Sequence, residues 1–235
     1  MKNTLIQVFA LCLILVACSP SESVIQKAIA KTQTAASTNV PSTETPTITP
    51  SPTPDLRVIK VDPKEFLLSK DDLPIEAKYY LPNQYWISPH RNVEILQDMG
   101  AEDGGKYINA TGRIDGWWAD YMRGSSKVVA PKEVYNNVIM YQTAAGAQLF
   151  ITKYGDLNLA DGYAEVENAS RIGEVSRTYI LKKGNTTYYL LDFAYRNYVH
   201  RIQAYGLESE VKPEFVMKIA KILLSKLETA PLSAP

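Results

Sequence analysis

The sequence predicts an α+β domain: an antiparallel sheet of about five to six strands with helices packed on one face. Three observations carry this. Strand-like alternation comes in blocks, over residues 113–123, 134–142 and three consecutive runs between 177 and 205. The last three runs are joined through Lys183-Gly184-Asn185 and Arg196-Asn197, links so short that they fit only antiparallel hairpins. Helical periodicity lies apart from the strands, most clearly after Pro213, where Phe215, Val216, Ile219, Leu223 and Leu227 share a face. Strands and helices segregated in this way mark α+β architecture.

Taken in order, residues 56–61 open the domain as a strand. Ser69 to Leu73 reads as a short helical turn ended by Pro74. Ser88 and Pro89 read as N-cap and first helical position, followed by Val93, Leu96 and Met99 at helical spacing and by Gly100 as the stop. In the strand over 113–123, Trp117, Ala119 and Tyr121 take one face and Ile114, Trp118 and Met122 the other. Apolar bulk on both faces marks a central strand. A second strand, 134–142, follows Pro131. Thr143 then caps a short helix through Ala147, Phe150 and Ile151, closed by Gly155. Residues 156–174 are polar and loop-like. Strands over 177–182, 186–195 and 198–205 follow, then the closing helix and a frayed end from Ala230. This element order loosely resembles the Mog1/PsbP-like group of α+β domains; no motif carries that likeness, and a fold does not give a function.

The N-terminus has its own logic. Lys2 precedes a run, residues 5–17, that is apolar except for Gln7. That is the length of a signal-peptide apolar region and too short to span a bilayer. It ends in Leu15-Val16-Ala17-Cys18. These four residues resemble the lipobox of bacterial lipoproteins. The resemblance implies a diacylglycerol on the Cys18 thiol, cleavage before Cys18 and further acylation with chains such as palmitate. It therefore implies a lipid-anchored protein on the extracytoplasmic face of the cell membrane, with the membrane as a partner. Residues 19–55 contain no aromatic residue, and Pro41, Pro46, Pro50, Pro52 and Pro54 punctuate a Ser/Thr-rich stretch. Such a composition buries no core. In extended polyproline form, residues 40–54 reach roughly 45 Å at about 3.1 Å per residue. Thr/Pro stalks of this kind resemble those of other bacterial lipoproteins. The expected organisation is a signal peptide at 1–17, a lipidated N-terminus and stalk at 18–55, and one globular domain at 56–235.

Composition removes several classes of function. The two cysteines, Cys12 and Cys18, both lie near the N-terminus. A domain over 56–235 therefore has no disulfide and no cysteine nucleophile, and a zinc site in it would need His and carboxylate ligands alone. Basic and acidic residues balance at 25 each, and loss of Lys2 with the leader leaves 24 against 25. Without a basic excess, nucleic acid is not an expected partner. The 15 tyrosines suit half-buried strands beside water.

The candidate chemical motifs are weak. Gly100, Gly105 and Lys106 nearly spell a P-loop, but Tyr107 replaces the hydroxyl that would hold Mg²⁺ and Glu102 and Asp103 would repel phosphate. Asp156, Asn158 and Glu167 fall at calcium-loop positions, yet Ala160 lacks an oxygen ligand and Gly162 comes one residue late. His90 and His200 are the only histidines and sit in no nucleophile motif. Asp115 and Asp120 would serve glycoside hydrolysis only if the fold brought them together across a cleft. No catalytic residue, cofactor or metal is expected. The candidate binding residues are Trp117, Tyr121 and Tyr141, an aromatic platform for a sugar ring or apolar ligand; Trp118, on the opposite face from Trp117, cannot belong to the same platform. The expected function is a non-catalytic binding or interaction module at the cell envelope, acting on an envelope protein or a small molecule. The rivals are an extracytoplasmic hydrolase with a noncontiguous site and a structural envelope protein.

Overall fold

The computed structural model describes residues 55–74, 80–82, 87–124 and 129–234, and all described elements lie in the unit Pro54–Pro235. Cys18 and the stalk lie outside the described residues. The described strands are β1 Val58–Ile59, β2 Tyr80–Pro82, β3 Ser88–Pro89, β4 Arg113–Arg123, β5 Glu133–Tyr141, β6 Ala164–Glu165, β7 Val175–Lys183, β8 Thr186–Tyr195, β9 Tyr198–Leu207 and β10 Leu232–Ser233. The helices are α1 Asn92–Met99, α2 Ala101–Thr111, α3 Ala144–Leu149, α4 Asp156–Ala160 and α5 Pro213–Glu228. A π-helical turn, Phe150–Tyr154, links α3 to α4.

The α+β class stands, and the main sheet is antiparallel throughout, in the order β2-β4-β5-β9-β8-β7-β6 with β3 also on β4. It holds eight strands rather than five or six. The additional ones are segments of two or three residues, too short to show a period of two. Helices also cover both faces rather than one. Alternation sends Ala119 and Tyr121 of β4, Val134 and Val138 of β5, and Tyr198 and Ile202 of β9 into a core closed by α5. There Val216, Ile219, Leu223 and Leu227 are fully buried, each burial stabilising by about 1.5–3 kcal/mol. Ile139 and Tyr141 of β5, Ala194 of β8 and Val199 of β9 point the other way. They pack on Ile95, Tyr107, Ala147 and Ile151 from α1 to the π turn.

Four local expectations differ. The stretch 156–174, expected to be loop, contains α4 and β6. Ser88 and Pro89 form β3 against Trp118 and Trp117, and the helix starts only at Asn92. Residues 101–111 form a second helix directly after Gly100, where the sequence was expected to stop the helix without a new one following. The end of the chain pairs β10 with β1 instead of fraying. The amide of the buried Asn197 secures β1: its Oδ1 accepts from the Ile59 N–H at 2.8 Å, and its Nδ2 donates to the Ile59 and Tyr141 carbonyls at 3.0 and 2.9 Å.

Candidate functional site

The face of the sheet under α1–α4 carries a row of polar side chains where apolar ones would pack. Cross-strand register sets Trp118 opposite Asn137, Asn137 opposite Arg201, Arg201 opposite Asp192, and Asp192 opposite Arg177. Opposed residues in a ladder are near neighbours, so this is one continuous belt across five strands. Above its middle lies a cleft of about 270 Å³. Asn137, Ile139 and Arg201 make its floor. His90 and α1 (Ile95, Asp98, Met99) form one wall, and Leu157, Asn158 and Asp161 form the other. Tyr107, Phe150 and Tyr154 close the back. The π turn places Phe150 and Tyr154 at its two ends. Such turns are rare and concentrate at functional sites.

The floor is built around a buried ion pair. Asp192 is fully buried, and Arg201 donates to both of its oxygens, Nε to Oδ1 at 2.9 Å and Nη2 to Oδ2 at 2.8 Å. Asn158, itself buried, accepts from Arg201 Nη2 at 3.2 Å and donates to Asp192 Oδ2 at 3.4 Å. The guanidinium carbon lies 5.3 Å from the Phe150 ring centroid, in the range of a cation–π contact. Among the described residues Arg201 Nη1 has no acceptor.

Beside the ion pair two polar atoms, Asn137 Oδ1 and His90 Nε2, are closed off from solvent without a hydrogen-bond partner among the described residues. The side-chain nitrogen of Asn137 lies 3.1 Å from His90 Nδ1. Its Oδ1 is buried and unpartnered, although Asn137 is only 5 % exposed. An unmet buried acceptor costs about 1–3 kcal/mol. The His90 ring stacks on Trp118, 5.4 Å between centroids and 9° from parallel. Its Nε2 lies 3.5 Å from Asp98 Oδ2 without hydrogen-bond geometry. Burial, and after it the Arg113 charge, pushes the His90 pKa below the usual histidine value, so the ring is neutral near pH 7.

The expected aromatic platform is not assembled. Trp117 and Tyr121 lie on the face toward α5; Tyr141 lies on the opposite face. Trp117 pairs with Val138, and Tyr141 is an odd number of residues from Val138, so alternation alone separates them. Tyr121 is 2 % exposed, with its hydroxyl donated to the Leu68 carbonyl at 2.8 Å, and Tyr141 is fully buried with its hydroxyl 2.8 Å from that of Tyr107. Trp117 is half-buried under the Lys64 ammonium, 4.8 Å from the ring centroid. Asp115 and Asp120 also fall on opposite faces, opposed to Met140 and Tyr135. Asp120 instead meets Glu133 of β5; burial, reinforced by that carboxylate, raises its pKa to about 6. The calcium-loop residues diverge: Asp156 pairs with Arg177 at 2.7 Å while Asn158 turns inward to the ion pair. His200 is fully buried on the α5 side, stacked on Phe193.

Sequence reading missed Asn137, Asp192 and Arg201 and weighed Asn158 only as a calcium-loop residue. A signal was present: Asp192 interrupts an otherwise apolar strand, and a mid-strand charge demands a partner.

With this geometry in hand the chain was compared with known proteins. No protein-family model and no curated protein matches it. It is similar in fold to the extracellular domain of PknH from Mycobacterium tuberculosis, with a TM-score of 0.50 and 13 % identity, covering 72 % of this chain and 97 % of that one. At that identity the likeness is one of fold.

Proposed function

We propose that this chain is a membrane-tethered, extracytoplasmic binding module whose cleft between α1 and α4 takes a small ligand. The observation that carries the reading is the cleft of about 270 Å³ itself, with the Arg201 guanidinium held at its floor by Asp192 and Asn158. A concave, largely apolar cavity with a few fixed polar groups is the usual form of a small-ligand site. The lipobox-like Leu15-Val16-Ala17-Cys18 supports the tether. The extracellular setting of the similar domain supports the location. The reading is non-catalytic: the His90 Nδ1 is engaged by Asn137, and the Ser88 hydroxyl accepts from the Trp118 indole.

The test is a thermal-shift screen of the full-length chain against divalent ions, cell-wall saccharides, lipids and small metabolites. A ligand at a hundred times its dissociation constant adds about 2.7 kcal/mol. For a chain of this size that is a rise of roughly 5–10 °C. The rise should vanish when Leu157, 53 % exposed at the cleft's edge, is replaced by Trp. A flat response across the panel refutes the small-ligand reading and directs the search to a protein partner.

A hydrolase is a second reading with one observation in its favour, the Asp120–Glu133 contact with its raised Asp120 pKa. Hydrolysis of a saccharide or ester panel that Asp120→Asn abolishes would establish it.

A further inference from the structure

We infer, resting on the reading of this cleft as a binding site, that its ligand is a free α-amino acid with an apolar side chain, its carboxylate on Arg201 and its ammonium on Asp161. The polar atoms that the cleft leaves within reach select it. At the floor the Arg201 side chain is 27 % exposed. Its Nε and Nη2 are held by Asp192 and Asn158, while Nη1 has no acceptor among the described residues and stays open to the cleft. A guanidinium nitrogen can only donate, and a carboxylate is among its strongest partners. At the rim, Asp98 and Asp161 are exposed and can only accept. Asp161 has no cationic partner among the described residues, and Asp98 has the His90 ring, 3.5 Å away and neutral near pH 7. Asn137 Oδ1 and His90 Nε2 are closed off and take no part.

The chain brings the donor and one acceptor close together. Asn158 Oδ1 accepts from Arg201 Nη2 at 3.2 Å, and Asp161 follows Asn158 by one turn, at the end of α4. The Asp161 N–H continues that turn by donating to the Leu157 carbonyl at 3.0 Å. Side chains so spaced start about 5–6 Å apart. The Asp161 carboxylate therefore stands within one small molecule of the guanidinium. A ligand that accepts at Arg201 and donates at Asp161 needs both groups close together, and the carboxylate and ammonium on one α-carbon supply them.

Charge argues the same way. Asp192 cancels Arg201 at the floor, and both charged side chains of the rim, Asp98 and Asp161, are negative, so a simple anion is repelled. A simple cation meets the open guanidinium. A zwitterion carries no net charge and sets each end against its opposite. The rest of the accessible lining is apolar: Met99 and Tyr154 are half-buried and Leu157 is 53 % exposed, so all three present surface to a side chain. A cavity of about 270 Å³ lies just below the size of drug-sized sites, which suits one amino acid. A peptide terminus lacks one of the two charged groups.

The experiment is calorimetric titration of the full-length chain with L-leucine and L-phenylalanine. Each is run beside the amine that lacks its carboxylate (isoamylamine, phenethylamine) and the acid that lacks its amine (isocaproate, hydrocinnamate). At least one amino acid should bind saturably, and its two partial analogues at least tenfold more weakly. Asp161→Asn, an exposed change at the end of α4, should weaken the amino acid at least tenfold while the free protein keeps its melting temperature. An amine or acid that binds as tightly as its parent would overturn the inference, because one of the two charged contacts is then not made. An amino acid bound equally by the Asp161→Asn protein would overturn it, because that ligand sits elsewhere. If neither amino acid binds, the class falls. A thermal-shift hit lost in the Leu157→Trp protein then keeps the cleft as a site, whereas a flat thermal-shift panel takes the binding reading with it.

Discussion

Replacing Arg201 with Met should destabilise the domain by about 3–5 kcal/mol, because it strands a carboxylate that has no solvent. Asp192 is fully buried, and its two oxygens receive three donors: Arg201 Nε at 2.9 Å, Arg201 Nη2 at 2.8 Å and Asn158 Nδ2 at 3.4 Å. Removing the guanidinium leaves only the longest of these. At about 2–4 °C per kcal/mol for a chain of this size, the melting temperature should fall by roughly 6–20 °C. The double variant Asp192→Leu/Arg201→Met removes the stranded charge along with its partner. Apolar replacement of a buried pair is often neutral or better, so the double variant should recover most of the loss. Urea denaturation of wild type, both single variants and the double variant gives the coupling energy directly. A cost below about 1 kcal/mol for Arg201→Met would refute the reasoning, since that is the value of a hydrated surface pair and would mean that water reaches Asp192.

Other outcomes follow from individual residues. The Asp120 pKa of about 6 lies above the ordinary 3.8, through burial first and Glu133 second, so the fold favours the protonated acid. Its contribution is complete below about pH 3.8 and is lost as pH rises through 6; Asp120→Asn should flatten that part of the melting-temperature profile. His200 has the opposite sign. Burial, then the Lys226 charge, lowers its pKa to about 3, so its contribution is complete above about pH 6.5 and is lost as pH falls toward 3; His200→Gln should remove that acid-side loss. Gly105→Ala should stabilise the protein by about 1 kcal/mol, because a Cβ there meets nothing within 4 Å. Gly104→Ala should give no such gain, because its Cβ would lie 3.0 Å from the Ile95 carbonyl oxygen; equal thermal shifts for the two would contradict the packing. Cys18→Ser should abolish incorporation of a labelled fatty acid and release the protein from the membrane fraction; labelling that persists would refute the anchor.

Legibility in the sequence followed the length and purity of each pattern. β4, β5 and the meander β7–β9 are nine to eleven residues of alternation, and α5 is sixteen residues with one apolar stripe, so each was readable unaided. α2 was hidden because Gly104 and Gly105 each weaken a helix by about 1 kcal/mol relative to Ala. The compensation is tertiary: the bare Gly104 lets α2 close on the Ile95 and Leu96 backbone of α1. Ser88-Pro89 carries the residues of a helix start, but the next N–H, that of His90, donates to the Gly116 carbonyl at 2.7 Å, which extends the chain along the sheet. Proline is tolerated there because β3 lies at the sheet's edge. The candidate site was illegible for another reason. Its residues come from β5, β9, β8, α4 and the segment before α1, and only the register joins them. The aromatic platform failed on parity, since the face of Tyr141 depends on a strand phase counted from Trp117 across a separate strand.

The two sheet faces separate what stabilises this domain from what we assign to function. One residue along from the polar belt, on the face toward α5, the equivalent row reads Trp117, Val138, His200 and Phe193. The same four strands at almost the same level thus accept apolar and aromatic packing, with one neutral histidine. The belt above them holds Trp118, Asn137, Arg201 and Asp192 and carries the full desolvation of one charge, Asp192, and part of that of Arg201. A buried ion pair contributes little net stability over an apolar pair of similar volume. Nothing in the folding of this sheet therefore requires Asp192 and Arg201. Their effect is to fix a guanidinium at the floor of the cleft. The Asp192→Leu/Arg201→Met protein should accordingly melt close to wild type yet show no thermal shift with any compound that shifts the parent. A retained thermal shift in that protein would show that the belt serves the fold rather than the site.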